Sequence, residues 1–438
     1  MRIAGILLAG ALSGAASAHE VSLEYCRYPN SLREATDLTL RSRVALEPLA
    51  SAPEGTRRLP PLVSEQPVFA VASIGESRFL LIFDRMDARD PFYSVMYCDA
   101  NSNGDLTDDV AVGDVDEGQQ SGSFESNPLD VTVELKGKTL PYSFRGHVSC
   151  TAYATGAPPR RIDLADLSVE LSGNCCYLGR LELGGRSYRL LLEDANVNGR
   201  FDDRVVWGRG TRPEDREVLQ GRGDALFLTE YARFDFHDRS FVPGLVMLRD
   251  NLFLLGIDIG AKRLTLTPFD GTVSRVSVAM PVERLFLDAR DGVDILAYEP
   301  GVQISIPDGA YRVASYQALR KDVQGDHWRL AAAATVRTPF MHLGRDGVRR
   351  IELGEPYKAQ IQALAELRRG EGQQEALAVL LSLELCGSAR EKVLEVSHVS
   401  GQRTRLSLDS TRARPEPPSY TITTANGEVV TRGSFEYG

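Results

Sequence analysis

Short apolar stretches, broken by glycine, proline and asparagine, run along most of this chain. Their alternation follows the two-residue period of strands rather than the 3.6-residue period of helices. Strands are predicted at 68–72 and 79–83, turning at Gly75, and at 93–98. Residues 131–135 and 142–144 flank Lys136-Gly137-Lys138, and 178–183 and 188–192 flank Gly184-Gly185. Others are expected at 169–171, 205–207, 226–228, 252–259 and 263–267, the last two joined around Gly260. Further on come 273–278, 285–287, 302–306 and 311–316, the last pair turning at Pro307-Asp308-Gly309. The C-terminal set is 357–364, 378–385, 393–396, 420–423 and 429–437, with Asn426-Gly427 between the last two. Residues 360–381 also carry helix-forming Ala, Leu, Glu and Gln, but the turn-bounded runs on both sides favour strand. One short helix is expected, over 31–45; 53–61 is a proline-rich connection and 110–127 an acidic surface connection. The expected class is all-β, a string of antiparallel β-sandwich-like modules.

At 438 residues the chain is too long for one ordinary core. The expected units are a leader at 1–18, β modules at 19–127 and 128–272, and sandwiches at 273–350 and 351–438, the last immunoglobulin-like. The leader has the pattern of a signal peptide: Arg2, an apolar stretch from Ile3 to Ala16, and Ala16-Ser17-Ala18 as cleavage site. Export, periplasmic or secreted, with His19 as the mature N-terminus, is therefore expected. No later apolar run is long enough to span a bilayer as a helix. A net charge of −10 argues against nucleic acid or an anionic membrane as partner. Export also makes disulfides plausible among Cys26, Cys98, Cys150, Cys175, Cys176 and Cys386. The adjacent Cys175 and Cys176 are expected to take different partners, and Cys98 is placed to pin the loop after it.

That loop, directly after Cys98, is one of two copies of a short motif. The first is Asp99-Ala100-Asn101-Ser102-Asn103-Gly104-Asp105-Leu106-Thr107-Asp108-Asp109. The second is Asp194-Ala195-Asn196-Val197-Asn198-Gly199-Arg200-Phe201-Asp202-Asp203. As the chain curls, Asp99, Asn101 and Asn103 come within reach of one point, as do Asp194, Asn196 and Asn198. Hard oxygen donors of this kind suit Ca²⁺. Glycine at position six permits the sharp turn that brings the next carbonyl inward, from Asp105 or Arg200. Asp202 is expected to close the second site; Asp108 or Asp109, near Thr107, the first. Asn-Gly is also the strongest two-residue hairpin signal, so a turn without an ion accounts for part of the motif.

The Asp-x-Asn-x-Asn-Gly core resembles the calcium loops of EF-hands and dockerins. It resembles more closely the hairpin calcium loops of integrin-type propeller blades, with Asp194, Asn196, Asn198 and Asp202 matching. Val110 and Val205 stand where an EF-hand has its bidentate glutamate. The stretch around Ile306-Pro307-Asp308-Gly309-Ala310-Tyr311 resembles carboxypeptidase-regulatory and transthyretin-like β-sandwiches.

Other motifs carry less. Leu255-Gly256-Ile257-Asp258-Ile259-Gly260-Ala261 resembles the aspartic-protease motif, but Ile259 replaces its hydroxyl residue, and a turn at Gly260 accounts for it. Arg222-Gly223-Asp224 reads as an exposed turn, and the six histidines show no ligand spacing. The leading expectation is an exported, non-enzymatic, Ca²⁺-binding β protein that binds an extracellular or cell-surface polymer or protein. The alternative is an exported hydrolase of glycans or peptides, with structural calcium and catalytic residues assembled only by the fold.

Overall fold

The computed structural model describes residues 18–28, 43–115, 122–155, 162–204, 223–231, 234, 238–290, 293–335, 338–345, 347, 349–369, 375–399 and 417–435. Antiparallel sheet dominates, and among these residues there is no α-helix, only short 3₁₀ turns such as Leu164–Asp166 and Ile259–Ala261. The helix expected at 31–45 lies outside the described residues up to 42, and its end belongs to the strand Arg43–Leu46. The strand expected at 205–207 also lies outside them.

Two sheets face each other in the first half of the chain. One runs Val68–Ile74, Ser77–Asp84, Val95–Cys98, Val112–Gly113. The other runs Arg43–Leu46, Leu167–Gly173, Lys138–Cys150; Ser123–Glu125 and Leu129–Leu135 share the far edge of Lys138–Cys150. Val112–Gly113 and Ser123–Glu125 are strands within the stretch 110–127 expected to be a surface connection. Alternation sends Phe79, Phe83, Phe124 and Phe144 inward, with ring centroids 6.1 Å apart for Phe79–Phe144 and for Phe83–Phe124. Each such burial contributes roughly 1.5–3 kcal/mol. A Cβ at Gly146 would lie 2.3 Å from the Met96 sulfur and 3.1 Å from the Phe83 ring, so a larger residue there would push these buried side chains aside.

His19–Arg27 joins this body to the next. One part of it pairs with Cys175–Leu183, which leads through Arg186–Glu193 to Ala225–Thr229 and Arg239–Phe241; another part pairs with Arg263–Pro268. A second core lies under Ser274–Ala289, Ile295–Ile306 and Gly309–Lys321, with Val276, Leu285, Ile304 and Val313 fully buried. The two strands expected at 273–278 and 285–287 are one, Ser274–Ala289. Its register shifts around Val282, which lets Pro281, lacking an N–H, sit inside a continuous strand. Of the stretch 360–381, residues 360–369 and 375–381 lie in the paired strands Lys358–Arg369 and Glu375–Cys386, so the strand reading holds there. Lys392–Val399 pairs back onto His327–Ala333, and Ser419–Thr423 with Val429–Ser434 closes the described chain.

Asp258 accepts from Ala261 N at 2.9 Å and caps the 3₁₀ turn at Gly260, which gives that motif a turn-building role. No disulfide is formed among the six cysteines, all of which lie among the described residues, in contrast to the disulfides expected from export. No helix among the described residues is long and apolar enough to cross a membrane.

Candidate cation-binding loops

Both motif copies connect strands, and they fold alike. Position four takes a left-handed backbone in each, at φ 56° for Ser102 and 54° for Val197. Position six does the same, at φ 80° for Gly104 and 81° for Gly199. A β-branched residue such as Val197 is costly there, so the surrounding contacts must hold it. The first aspartate organises the curl: Asp99 accepts from Asn103 N (3.0 Å) and Gly104 N (2.9 Å), and Asp194 from Asn198 N (3.1 Å) and Gly199 N (2.6 Å). Position eight anchors the loop. Leu106 is buried with Phe69, Leu80 and Ile82; Phe201 meets Tyr177 edge-on at 4.9 Å and Tyr142 at 6.4 Å.

The side chains at positions five and ten meet in both copies, and position three joins them in the second. In the first copy Asn103 Nδ2 donates to Asp108 Oδ2 at 3.0 Å. In the second, Asn198 Nδ2 and Asn196 Nδ2 both donate to the same oxygen, Asp203 Oδ2, the latter at 3.1 Å. Asp203, not the expected Asp202, therefore meets the asparagines. Asp202 instead pairs with Arg200 at 3.2 Å and Lys136 at 3.7 Å. Thr107 bonds to Asp105 through both its amide and its hydroxyl. Two buried oxygens have no hydrogen-bond partner here: Asp109 Oδ2 in the first loop and Asn196 Oδ1 in the second.

Each loop also uses an aspartate to hold the N–H at position two. Asp109 Oδ1 accepts from Ala100 N at 3.2 Å. In the second copy that place is taken by Asp224, 29 residues away from Ala195, which accepts from Ala195 N (3.1 Å) and Asp203 N (2.8 Å). Asp224 is fully buried, so the expected exposed turn at 222–224 is corrected at this residue. Nothing local in the sequence marks it as a partner of the motif.

Electrostatics track burial. Asp224 is pushed up to about 9, by burial and by Asp194 and Asp203 beside it. Asp194 is pushed up to about 6 by burial, against the bonds from Tyr142, Gly199 and Asn198 that favour its charged form. Asp109 is raised by burial, with Asp99, Asp108 and Asp105 adding repulsion. Asp105 is lowered, chiefly by the Thr107 hydroxyl. Among the described residues no three His, Cys, Asp or Glu side chains gather as a metal-binding group; each loop's donor set mixes Asp with Asn.

Comparison with family models, curated proteins and solved structures finds no match to the chain.

Proposed function

We propose that this is an exported β protein whose two loops bind Ca²⁺ and whose modules bind an extracellular or cell-surface polymer or protein. One observation carries the cation reading. Asn196 and Asn198 turn their amide groups onto a single Asp203 oxygen beside two buried carboxylates, Asp194 and Asp224. Without an ion, the N–H ends of the amides and bound protons offset that negative charge. With Ca²⁺, the amides rotate so that their oxygens face the ion, and the carboxylates ionise. The ligand set fits a hard divalent cation: carboxylate and amide oxygens, with Asn196 Oδ1 and Asp109 Oδ2 buried and free to take it.

Export rests on the leader pattern of residues 1–18. In an oxidising compartment, Cys26 and Cys176 are the cysteines best placed to pair, because they are opposite residues of neighbouring strands.

Affinity is expected in the range of extracellular modules, about 10⁻⁴ to 10⁻³ M, since two asparagines replace acids and the twelfth-position glutamate is absent. At roughly ten times that Kd each site adds about 1.4 kcal/mol. Thermal melting in millimolar calcium against chelator tests this. A rise in Tm with calcium, absent with an equal concentration of sodium salt, is the expected result. Superimposable curves reduce both motifs to Asn-Gly hairpins.

A further inference from the structure

On the solvent side of the sheet Arg43–Leu46, Leu167–Gly173, Lys138–Cys150, Ser123–Glu125, three residues from three strands form a line. His147 is the register partner of Glu170 on one side and of Glu125 on the other, and Ser123 is diagonal to it, opposite Ser149. Ser123 Oγ lies 3.2 Å from His147 Nε2, and Glu170 Oε2 lies 3.7 Å from His147 Nδ1. The His147 side chain is 14% exposed, and its Nδ1 has no hydrogen-bond partner. We infer that Ser123, His147 and Glu170 form a nucleophile, base and orienting-acid array that hydrolyses small acyl esters. This goes beyond the calcium reading and does not depend on it; it replaces the non-enzymatic expectation with an activity.

The order of atoms carries the inference. A serine hydroxyl on one ring nitrogen and a carboxylate on the other is the arrangement acyl transfer requires, on whatever fold it occurs. The acid contact at 3.7 Å is of the loose kind that tightens when substrate binds. The surroundings keep the ring neutral: burial lowers the His147 pKa, Arg43 adds to that, and Glu170, Glu125 and Asp114 oppose it. A neutral ring near pH 7 is a competent base. Arg43 holds Glu170 at 3.1 Å and Arg145 holds Glu125 at 3.2 Å, both reaching in from the neighbouring row on the side of His147 away from Ser123, so they fix the acids that flank the ring. Gly122 delivers the serine. Its φ of +90° and the Tyr153 side chain, 2.3 Å from where a Cβ would be, exclude any other residue at that turn.

The chemistry balances without a further co-reactant except water. Ser123 Oγ bonds to the acyl carbon as its proton passes to His147 Nε2. The bond to the alcohol oxygen breaks, and that oxygen takes the proton. Water then attacks the acyl-serine by the same path, releasing a carboxylic acid and restoring the hydroxyl. The row lies on a sheet face, where backbone N–H groups are committed to the ladder and cannot form a backbone oxyanion pocket. That favours esters, which have good leaving groups, over amides. An open face suits a small acyl group, such as acetyl, carried on a larger molecule that lies along the sheet.

The test uses the full mature chain, a fluorophosphonate probe and p-nitrophenyl acetate, with and without calcium. Mass spectrometry should place the phosphonyl adduct on Ser123, in either condition. His147→Gln should slow labelling and hydrolysis by about 10²-fold or more. Ser149→Ala, one strand away, should leave both unchanged. Glu170 is a positioning residue, and Glu170→Gln should move the midpoint of the pH–rate profile to lower pH, because the carboxylate that raises the ring's pKa is gone. An unlabelled Ser123 in the folded wild-type chain overturns the assignment, even if a variant fails to fold. A label that persists at full rate in His147→Gln overturns it as well. Either failure leaves the calcium melting result standing.

Discussion

The two copies of the motif share backbone, aspartate curl and amide–carboxylate contact, yet they sit in different places. The first is a surface loop: Asn101, Ser102, Asn103, Thr107 and Asp108 are exposed. The second is wedged into the body: Asp194 and Val197 are each 2% exposed, Tyr142 donates to Asp194 at 2.7 Å, and Asn198 O accepts from Gly75 N at 2.6 Å. Position seven differs in sign. Asp105 adds an acid to the first loop, whereas Arg200 in the second reaches Asp202 and Asp203, each at 3.2 Å. A near-identical sequence thus serves two ends. The buried copy locks strands of different sheets together; the first copy also buries Asp99, at 5% exposed, but leaves Asn101, Asn103 and Asp108 in solvent.

The largest effect expected from that difference is on stability without calcium. Asp194→Ala strands the Asn198 and Gly199 amides and the Tyr142 hydroxyl, and should cost roughly 3 kcal/mol or more in urea unfolding. Asp99→Ala strands two amides in a loop that water reaches, and should cost about 1–2 kcal/mol. Equal losses would break the buried-versus-exposed distinction.

Next comes Asp224. Asp224→Ala leaves the Ala195 and Asp203 amides without an acceptor, roughly 2–4 kcal/mol. Asp224→Asn keeps one acceptor but sets its NH2 against the other backbone N–H, so it should cost less than Asp224→Ala, roughly 1–2 kcal/mol in chelator. The pH dependence has a definite sign. Both buried acids have raised folded-state values, about 6 and about 9, so the folded chain binds more protons than the unfolded one above the ordinary carboxylate range. Their stabilising contribution is full at acid pH and is lost as pH rises through 6 and then 9. In chelator, the wild-type Tm should therefore fall more steeply between pH 6 and 9 than that of Asp224→Asn; calcium should flatten the wild-type curve. Parallel curves would contradict the assigned burial cost.

A smaller effect is expected from exchanging the charges at position seven. Arg200→Asp should tighten the second loop for calcium several-fold, and Asp105→Arg should weaken the first by a similar factor, both read by calorimetric titration. Affinities that move the other way would mean that Arg200 supports the bound geometry.

How much the sequence disclosed depends on how local each feature is. The all-β class and the hairpin at Gly184-Gly185 rest on neighbouring residues, and the motif's curl on positions one to six. The hairpin expected at Pro307-Asp308-Gly309 is not formed, because the strands on its two sides pair with Ser274–Ala289 and not with each other. Asp224 could not be found this way, because it enters through tertiary packing. The choice of Asp203 over Asp202 depends on which side of the turn Arg200 and Lys136 draw an acid. The break expected between 278 and 285 vanishes because a bulge absorbs Pro281. Ser123, His147 and Glu170 needed a register, since only the alignment of three strands makes a diagonal of them.

Calcium binding by both loops is decided by the number of ions bound per chain, from isothermal titration calorimetry of wild type, Asp108→Ala and Asp203→Ala. These two carboxylates meet the asparagines of their loops, and removing their side chains leaves in place the aspartates that hold the position-two amides. Two ions are expected for wild type and one for each variant, with the remaining site unchanged in affinity. A wild-type chain that gives no heat, or variants that still bind two ions, would contradict the assignment of the loops as calcium sites.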